Sequence, residues 1–178
     1  MTNEIFQNND EKAALLVIDV QVGLFNKSKG IYQADQLLDT INSLIDKARG
    51  AGAAVFFIQH VNEKFLRKDS EAWQFHPRIG PLETETIIHK QHGNAFEKTP
   101  LKDLLGRLGV SKLIITGLVT HGCVRATCLG ALDLGYHTIL VSDGHSSYSK
   151  DAPRLIEKWN RTLADEGASV ISAGDVVF

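Results

Sequence analysis

Short apolar runs recur along the chain, and each ends on a glycine or a polar residue. Residues 13–18 (AALLVI) run into Asp19, and residues 53–58 (AAVFFI) run into Gln59 and His60. A weaker run from Thr86 to Ile88 ends on His89 and Lys90. Residues 112–116 (KLIIT) lead into Gly117, residues 137–141 (HTILV) into Ser142 and Asp143, and residues 168–172 (ASVIS) close the series. Runs without a solvent-facing side suit strands buried on both faces of a parallel sheet. Helical spacing fills the intervals. Leu37, Ile41, Leu44, Ile45 and Ala48 form one stripe, with Gly50 and Gly52 as its stop. Thr99-Pro100 opens a second stretch through Leu101, Leu104, Leu105 and Leu108. Residues 121–134 align Val124, Cys128 and Leu132 before Gly135, and residues 151–164 open with Asp151 and Pro153 as cap and first turn. This alternation predicts repeated βαβ units with right-handed crossovers. The expected fold class is α/β: a three-layer α/β/α, Rossmann-like domain around a mostly parallel sheet of about six strands.

The rhythm fails at residues 61–85, which begin charged and then carry Trp73, Phe75, His76, Pro77 and Pro81. A long connection of this kind in a compact domain is expected to be functional, and we read it as an active-site loop. Residues 1–12 read as a polar N-terminal tail. The remaining sequence forms one domain over 1–178, with 43% hydrophobic and 22% charged residues, which is a globular composition. Nineteen Lys and Arg against 21 Asp and Glu give a net charge of −2, and no basic stripe of the kind nucleic-acid binders show is present. No apolar run reaches the roughly 18–20 residues of a membrane span, and no apolar segment follows the N-terminus as in a secretory signal. A cytoplasmic location is expected, with no nucleic-acid or membrane partner. Cys123 and Cys128 lie about 140° apart on a helix, so they neither pair nor share a metal there.

Ligands in open α/β sheets bind beyond the carboxyl ends of the strands. Asp19, His60 and Lys90 follow the first three strands there, and Gly117-Leu-Val-Thr-His-Gly-Cys123 follows the fourth. An acid, a cation and a thiol thus converge on one rim. At the entry to a helix, beside Lys90, the Cys123 thiolate is favoured. Asp19 is placed to accept the thiol proton and return it to a leaving amine, while free N–H groups of the turn hold an oxyanion. Cys128, on the Val124/Leu132 face, reads as a small buried hydrophobe. Asp143 reads as a cap for the segment that follows it.

ALLVIDVQVGLF (14–25), HKQHGNAFEKTPL (89–101) and GLVTHGCVRATCLGALDLGYHTILVSDG (117–144) resemble the isochorismatase-like cysteine hydrolases, from about residue 13 to residue 172. The resemblance implies an Asp19–Lys90–Cys123 catalytic triad. It also implies a cis peptide bond at Leu118–Val119 and an oxyanion hole made by the N–H groups of Val119 and Cys123. Gln21 matches a positioning residue of the family, and Phe25, His60, Trp73, Phe96 and His121 are the expected pocket walls. The implied activity is hydrolysis of a C–N bond in a small-molecule amide, without a cofactor, by a homodimer or higher homo-oligomer. The presence of Cys123 argues against isochorismate as substrate, since the enzymes that cleave it lack this nucleophile. Nicotinamidases of the family bind a divalent metal through Asp-x-His after the second strand, where this chain reads Phe57-Ile-Gln-His60-Val-Asn62. No metal site is therefore expected. A metal-assisted nicotinamidase is the alternative enzyme, and a non-catalytic binding or scaffold protein the alternative of another class. Trp73-x-Phe75-His76-Pro77 resembles the non-nicotinamidase members, including streptothricin-hydrolase-like proteins.

Overall fold

A computed structural model describes residues 11–178, so most of the polar tail lies outside the described residues. Six strands, β1 (Ala13–Ile18), β2 (Ala54–His60), β3 (Thr86–Lys90), β4 (Lys112–Leu118), β5 (His137–Ser146) and β6 (Ser169–Ile171), form one sheet. Their order is β3-β2-β1-β4-β5-β6 and every pairing is parallel. The α/β expectation thus holds in class, layering and strand number. Four of the strands outrun the apolar runs that mark them. Gln59 pairs with His89 and His60 with Lys90, because a ladder of backbone hydrogen bonds is indifferent to the polarity of its side chains.

Alternation along β1 divides the core. Leu15 and Val17 face α2 (Ala34–Gly50), whose Leu37, Leu38, Ile41, Leu44 and Ile45 are buried against them. Ala14, Leu16 and Ile18 face α3 (Leu101–Arg107), α4 (Arg125–Asp133) and α5 (Ala152–Asp165), through Leu101, Leu105, Cys128, Ala131 and Leu163. A four-residue helix, α1 (Val22–Phe25), is too short to leave a periodic signal and was not expected.

Two expectations need correction near the site. The helix expected over 121–134 is broken: a wide π turn spans Thr120–Val124, Gly122 adopts a non-helical φ/ψ of −111°/−110°, and α4 starts only at Arg125. Asp143 caps nothing, because β5 runs on to Ser146 and its carboxylate instead accepts the Ala173 N–H at 2.8 Å. Residues 61–85 also divide. Their later part folds back on the body, with Gln21 bridging Phe75, the Val22 N–H donating to Gln74, and the His76 N–H to Val20. Arg78 pairs with Asp35 and Asp39, and Arg49 with Glu85, which ties the end of this segment to α2. No helix among the described residues is long and apolar enough to cross a membrane.

Candidate active site

The order 3-2-1-4-5-6 reverses direction between β1 and β4, so the chain leaving β1 and the chain leaving β4 depart to opposite faces and open a crevice. Asp19 stands at this point, one residue past β1. Its backbone is left-handed (φ 50°), a conformation that turns a non-glycine residue sharply out of the strand at some cost in strain. Its N–H donates to Ile58 O at 2.9 Å, which anchors the turn to β2. Gly117 faces it from β4 with φ 121°, and a Cβ there would lie 2.1 Å from Ile18 O. Only glycine lets the two strand ends approach this closely. The Leu118–Val119 peptide bond is cis, and the π turn that follows carries Cys123.

Lys90, the last residue of β3, is wholly buried and reaches across β2 and β1. Its ammonium lies 2.8 Å from Asp19 Oδ2, 2.9 Å from His60 Nδ1, 3.1 Å from Cys123 Sγ and 3.2 Å from His92 O. Burial opposes the Lys90 charge, but Asp19 and Cys123 outweigh it and hold the pKa above its ordinary value. The ammonium leaves His60 Nδ1 as acceptor, and burial together with that positive charge lowers the His60 pKa, so the ring is neutral. Asp19 Oδ1 is buried and has no hydrogen-bond partner. An uncommitted carboxylate oxygen here is an open acceptor for a proton.

The thiol is not the thiolate that the sequence favoured. Burial and then the nearby Asp19 carboxylate push the Cys123 pKa up to about 12, against the opposing pull of Lys90. With no regular helix until Arg125, the turn also lacks the continuous helix dipole invoked for a thiolate. The resting site is therefore a neutral thiol beside an Asp19–Lys90 ion pair. Behind it, His145 is buried and bonded on both sides. Asn160 Nδ2 donates to Ser142 O, so Asn160 Oδ1 accepts from His145 Nε2 and His145 Nδ1 accepts from Thr120 Oγ1 at 2.8 Å. This chain fixes the first residue of the cysteine-bearing turn.

A cavity of about 310 Å³ opens over the thiol, lined by Asp19, His60, Val119, His121, Gly122 and Cys123. Leu24, Lys27, Asn62, Phe65, Leu66 and Tyr148 complete its lining. His60 and His121 thus stand where expected, but Phe25, Trp73 and Phe96 do not, and Gln21 lies outside the cavity as a positioning residue. Gln21 is fully buried beneath the site and holds it together, donating to His60 O and Trp73 O and accepting the His60 N–H at 2.9 Å. Phe25 packs at a tilt against His76, Trp73 packs edge-on against His89, and Phe96 stacks on Tyr136, all away from the cavity. Of residues 61–85 only the first turn, Asn62 to Leu66, reaches the cavity. Lys27, Phe65 and Tyr148 went unread, although Tyr148 lies two residues past the end of β5. A larger cavity of about 560 Å³, bounded by Tyr32, Asp39, Asp143 and Pro153, holds none of the triad.

Asp19, His60 and Cys123 offer donor atoms within 4.8 Å of one another, the one such cluster among the described residues. These residues do not fit a divalent ion. The Lys90 ammonium already sits within hydrogen-bond distance of all three side chains and supplies the positive charge there. His76 Nδ1 accepts the Arg78 N–H at 3.2 Å, and neither His76 nor His89 belongs to that cluster.

Residues 13–175 match the isochorismatase domain family. A streptothricin hydrolase from Streptomyces noursei is 34% identical over 166 residues, which is 92% of this chain and 66% of that protein. The chain thus spans just under two thirds of that relative's length. A maleamate amidohydrolase from Pseudomonas putida is 27% identical over 74% of this chain and 71% of its own. A crystal structure of an isochorismatase family protein superposes with a TM-score of 0.85 at 31% identity, covering 90% of this chain and 98% of that one.

Proposed function

The chain belongs to the isochorismatase family of hydrolases, and from that premise we propose that it hydrolyses a C–N bond of a small amide through a thioester on Cys123. The observation that carries this reading is the placement of one buried ammonium against both the thiol and a carboxylate that keeps its second oxygen free. A neutral thiol needs a base at the moment of attack, and Asp19 Oδ1 is that base. Cys123 Sγ bonds to the amide carbonyl carbon as its proton passes to Asp19. The carbonyl oxygen becomes an oxyanion, held by the N–H groups of Val119 and Cys123. Lys90 keeps its proton and stabilises charge on sulfur as the proton leaves. Collapse breaks the C–N bond, and Asp19 gives its proton to the departing amine. Water then loses a proton to Asp19 and attacks the thioester carbon; the C–S bond breaks and Cys123 regains its proton. The net reaction is amide plus water to carboxylic acid plus amine. The amidase and hydrolase names of the relatives support this bond type, and the reading needs no cofactor.

Cys123→Ala is expected to stay folded and lose at least about 10³-fold in turnover. Acid quench of the wild-type enzyme during turnover is expected to give a protein mass raised by one acyl group, mapped to the Cys123 peptide. Turnover by Cys123→Ala overturns the nucleophile assignment. A chelator is expected to leave the rate unchanged. The reading extends to a homodimer or higher homo-oligomer, checked by light scattering. Two free thiols, one of them the nucleophile, suit a reducing compartment such as the cytoplasm.

A further inference from the structure

The catalytic cavity contains a charge that the hydrolytic cycle does not use. Lys27, from the turn after α1, lines it together with Phe65 and Tyr148. The Lys27 ammonium stands 3.5 Å from the centroid of the Phe65 ring and 5.6 Å from that of Tyr148. Phe65 is held in place by its own turn. Asn62 Oδ1 accepts the N–H groups of Lys64, Phe65 and Leu66 at 3.1, 2.7 and 2.9 Å. Two ring faces therefore steady the ammonium at the cavity edge. None of the ion pairs among the described residues involves Lys27.

The remaining charges in the cavity cancel. Asp19 and Lys90 neutralise each other, and the thiol is uncharged. Burial, with Lys90 beside His60 and Arg125 beside His121, keeps both imidazoles below their ordinary pKa and neutral at pH 7. The cavity thus presents one net positive charge, on Lys27. At about 310 Å³ it is at the lower limit for ligand sites, so a substrate that fills it meets both Cys123 and Lys27.

Resting on the amide-hydrolase reading, we propose that Lys27 determines specificity by pairing with a carboxylate at the far end of the substrate, so that the enzyme selects small amides that are also acids. Neutral amides lose that pair, and cationic ones meet like charge. Lys27 is only partly exposed, and a partly desolvated carboxylate pair is stronger than one at an open surface.

The test uses three matched probes: succinamate, its methyl ester, and 4-aminobutanamide, which replaces the acid by an amine. Calorimetry on Cys123→Ala is expected to show succinamate bound at least roughly tenfold more tightly than the ester, with the amine weakest. Adding Lys27→Met, which keeps the stem over Phe65, is expected to erase that preference, and adding Lys27→Arg to keep it. In the otherwise unmodified enzyme the same preference appears in KM, with kcat changed less. Equal affinity for the acid and the ester, including no binding of either, overturns the proposal. So does an acid preference that survives Lys27→Met. Tighter binding of 4-aminobutanamide overturns it and gives the two rings to a substrate cation. A Lys27-dependent acid preference with no ammonia released by the wild type sinks the amide-hydrolase reading and leaves the carboxylate site standing. Ammonia release without charge preference does the reverse.

Discussion

Cys123 and Cys128 both carry thiols that burial raises from an ordinary 9.0 to about 12, Cys123 with Asp19 adding to the effect and Cys128 by burial in the core alone. The unfolded chain releases these protons near pH 9, whereas the folded chain holds them to about 12. Between those values the unfolded state binds fewer protons, so stability falls as pH rises; below about 9 neither thiol contributes. Urea unfolding from pH 8 to 11 is expected to show the decline in the wild type and a shallower one in Cys123→Ala, and parallel curves would contradict the assigned shift. Lys90 makes a stronger demand. Removing its charge as Lys90→Met leaves the Asp19 carboxylate buried without a counter-ion, a loss of about 3–5 kcal/mol. Adding Asp19→Asn removes the stranded charge, so the double variant is expected to regain most of that stability and none of the activity. A double variant as unstable as Lys90→Met alone would show that the ion pair is not the source of the loss.

The strand ends β1 and β4 close on each other through Gly117, and the site depends on that closure. A methyl group in Gly117→Ala meets Ile18 O at 2.1 Å on a backbone with φ 121°, so β4 must move away from β1. The expected cost is roughly 2–4 kcal/mol, with activity lost beyond what the remaining folded fraction explains. Unchanged melting would show that the strand ends yield without strain. Gln21 performs the matching task between β1, β2 and the loop, and Gln21→Leu strands the His60 N–H at a cost of about 1–3 kcal/mol. These elements explain what was readable in the chain. Each strand contains an apolar run, so its existence was visible, and the residues that follow the runs brought Asp19, Lys90 and Cys123 into view, although four strands continue past their apolar residues. The break at Gly122 was hidden because the stripe of Val124, Cys128 and Leu132 begins after it and residues 121–123 carry no periodic signal of their own. Phe25, Trp73 and Phe96 were misassigned because nothing local separates an aromatic that lines a cavity from one that packs against His76, His89 or Tyr136. Their neighbours come from distant segments and exist only after packing. Lys27 was hidden for the same reason, since its partner ring lies 38 positions along the chain.

At the scale of the whole molecule, the three groups of the proposed triad come from β3 at one edge of the sheet, β1 near its centre and the turn that follows β4. The site therefore exists only when the central sheet is assembled, and its loss is expected to be cooperative with global unfolding. The two cysteines provide separate reporters of this. Cys128 is fully enclosed between the sheet and α4, and alkylation requires that layer to come away. Cys123 opens onto the cavity through segments held by turns, a smaller unit to displace. With iodoacetamide at fixed pH and rising, sub-denaturing urea, Cys128 modification is expected to accelerate with the full denaturant slope of global unfolding. Cys123 modification is expected to be faster throughout and almost independent of urea until the unfolding transition, with catalytic activity holding steady over the same range. The high thiol pKa makes this native-state rate slow in absolute terms, so the contrast lies in the slopes. If both cysteines follow the global slope, the cavity does not admit reagent in the native state, and substrate entry must wait on a larger opening. If Cys128 reacts without a denaturant slope, the α4 layer separates on its own and the cysteine-bearing turn is not braced by the core as the packing requires.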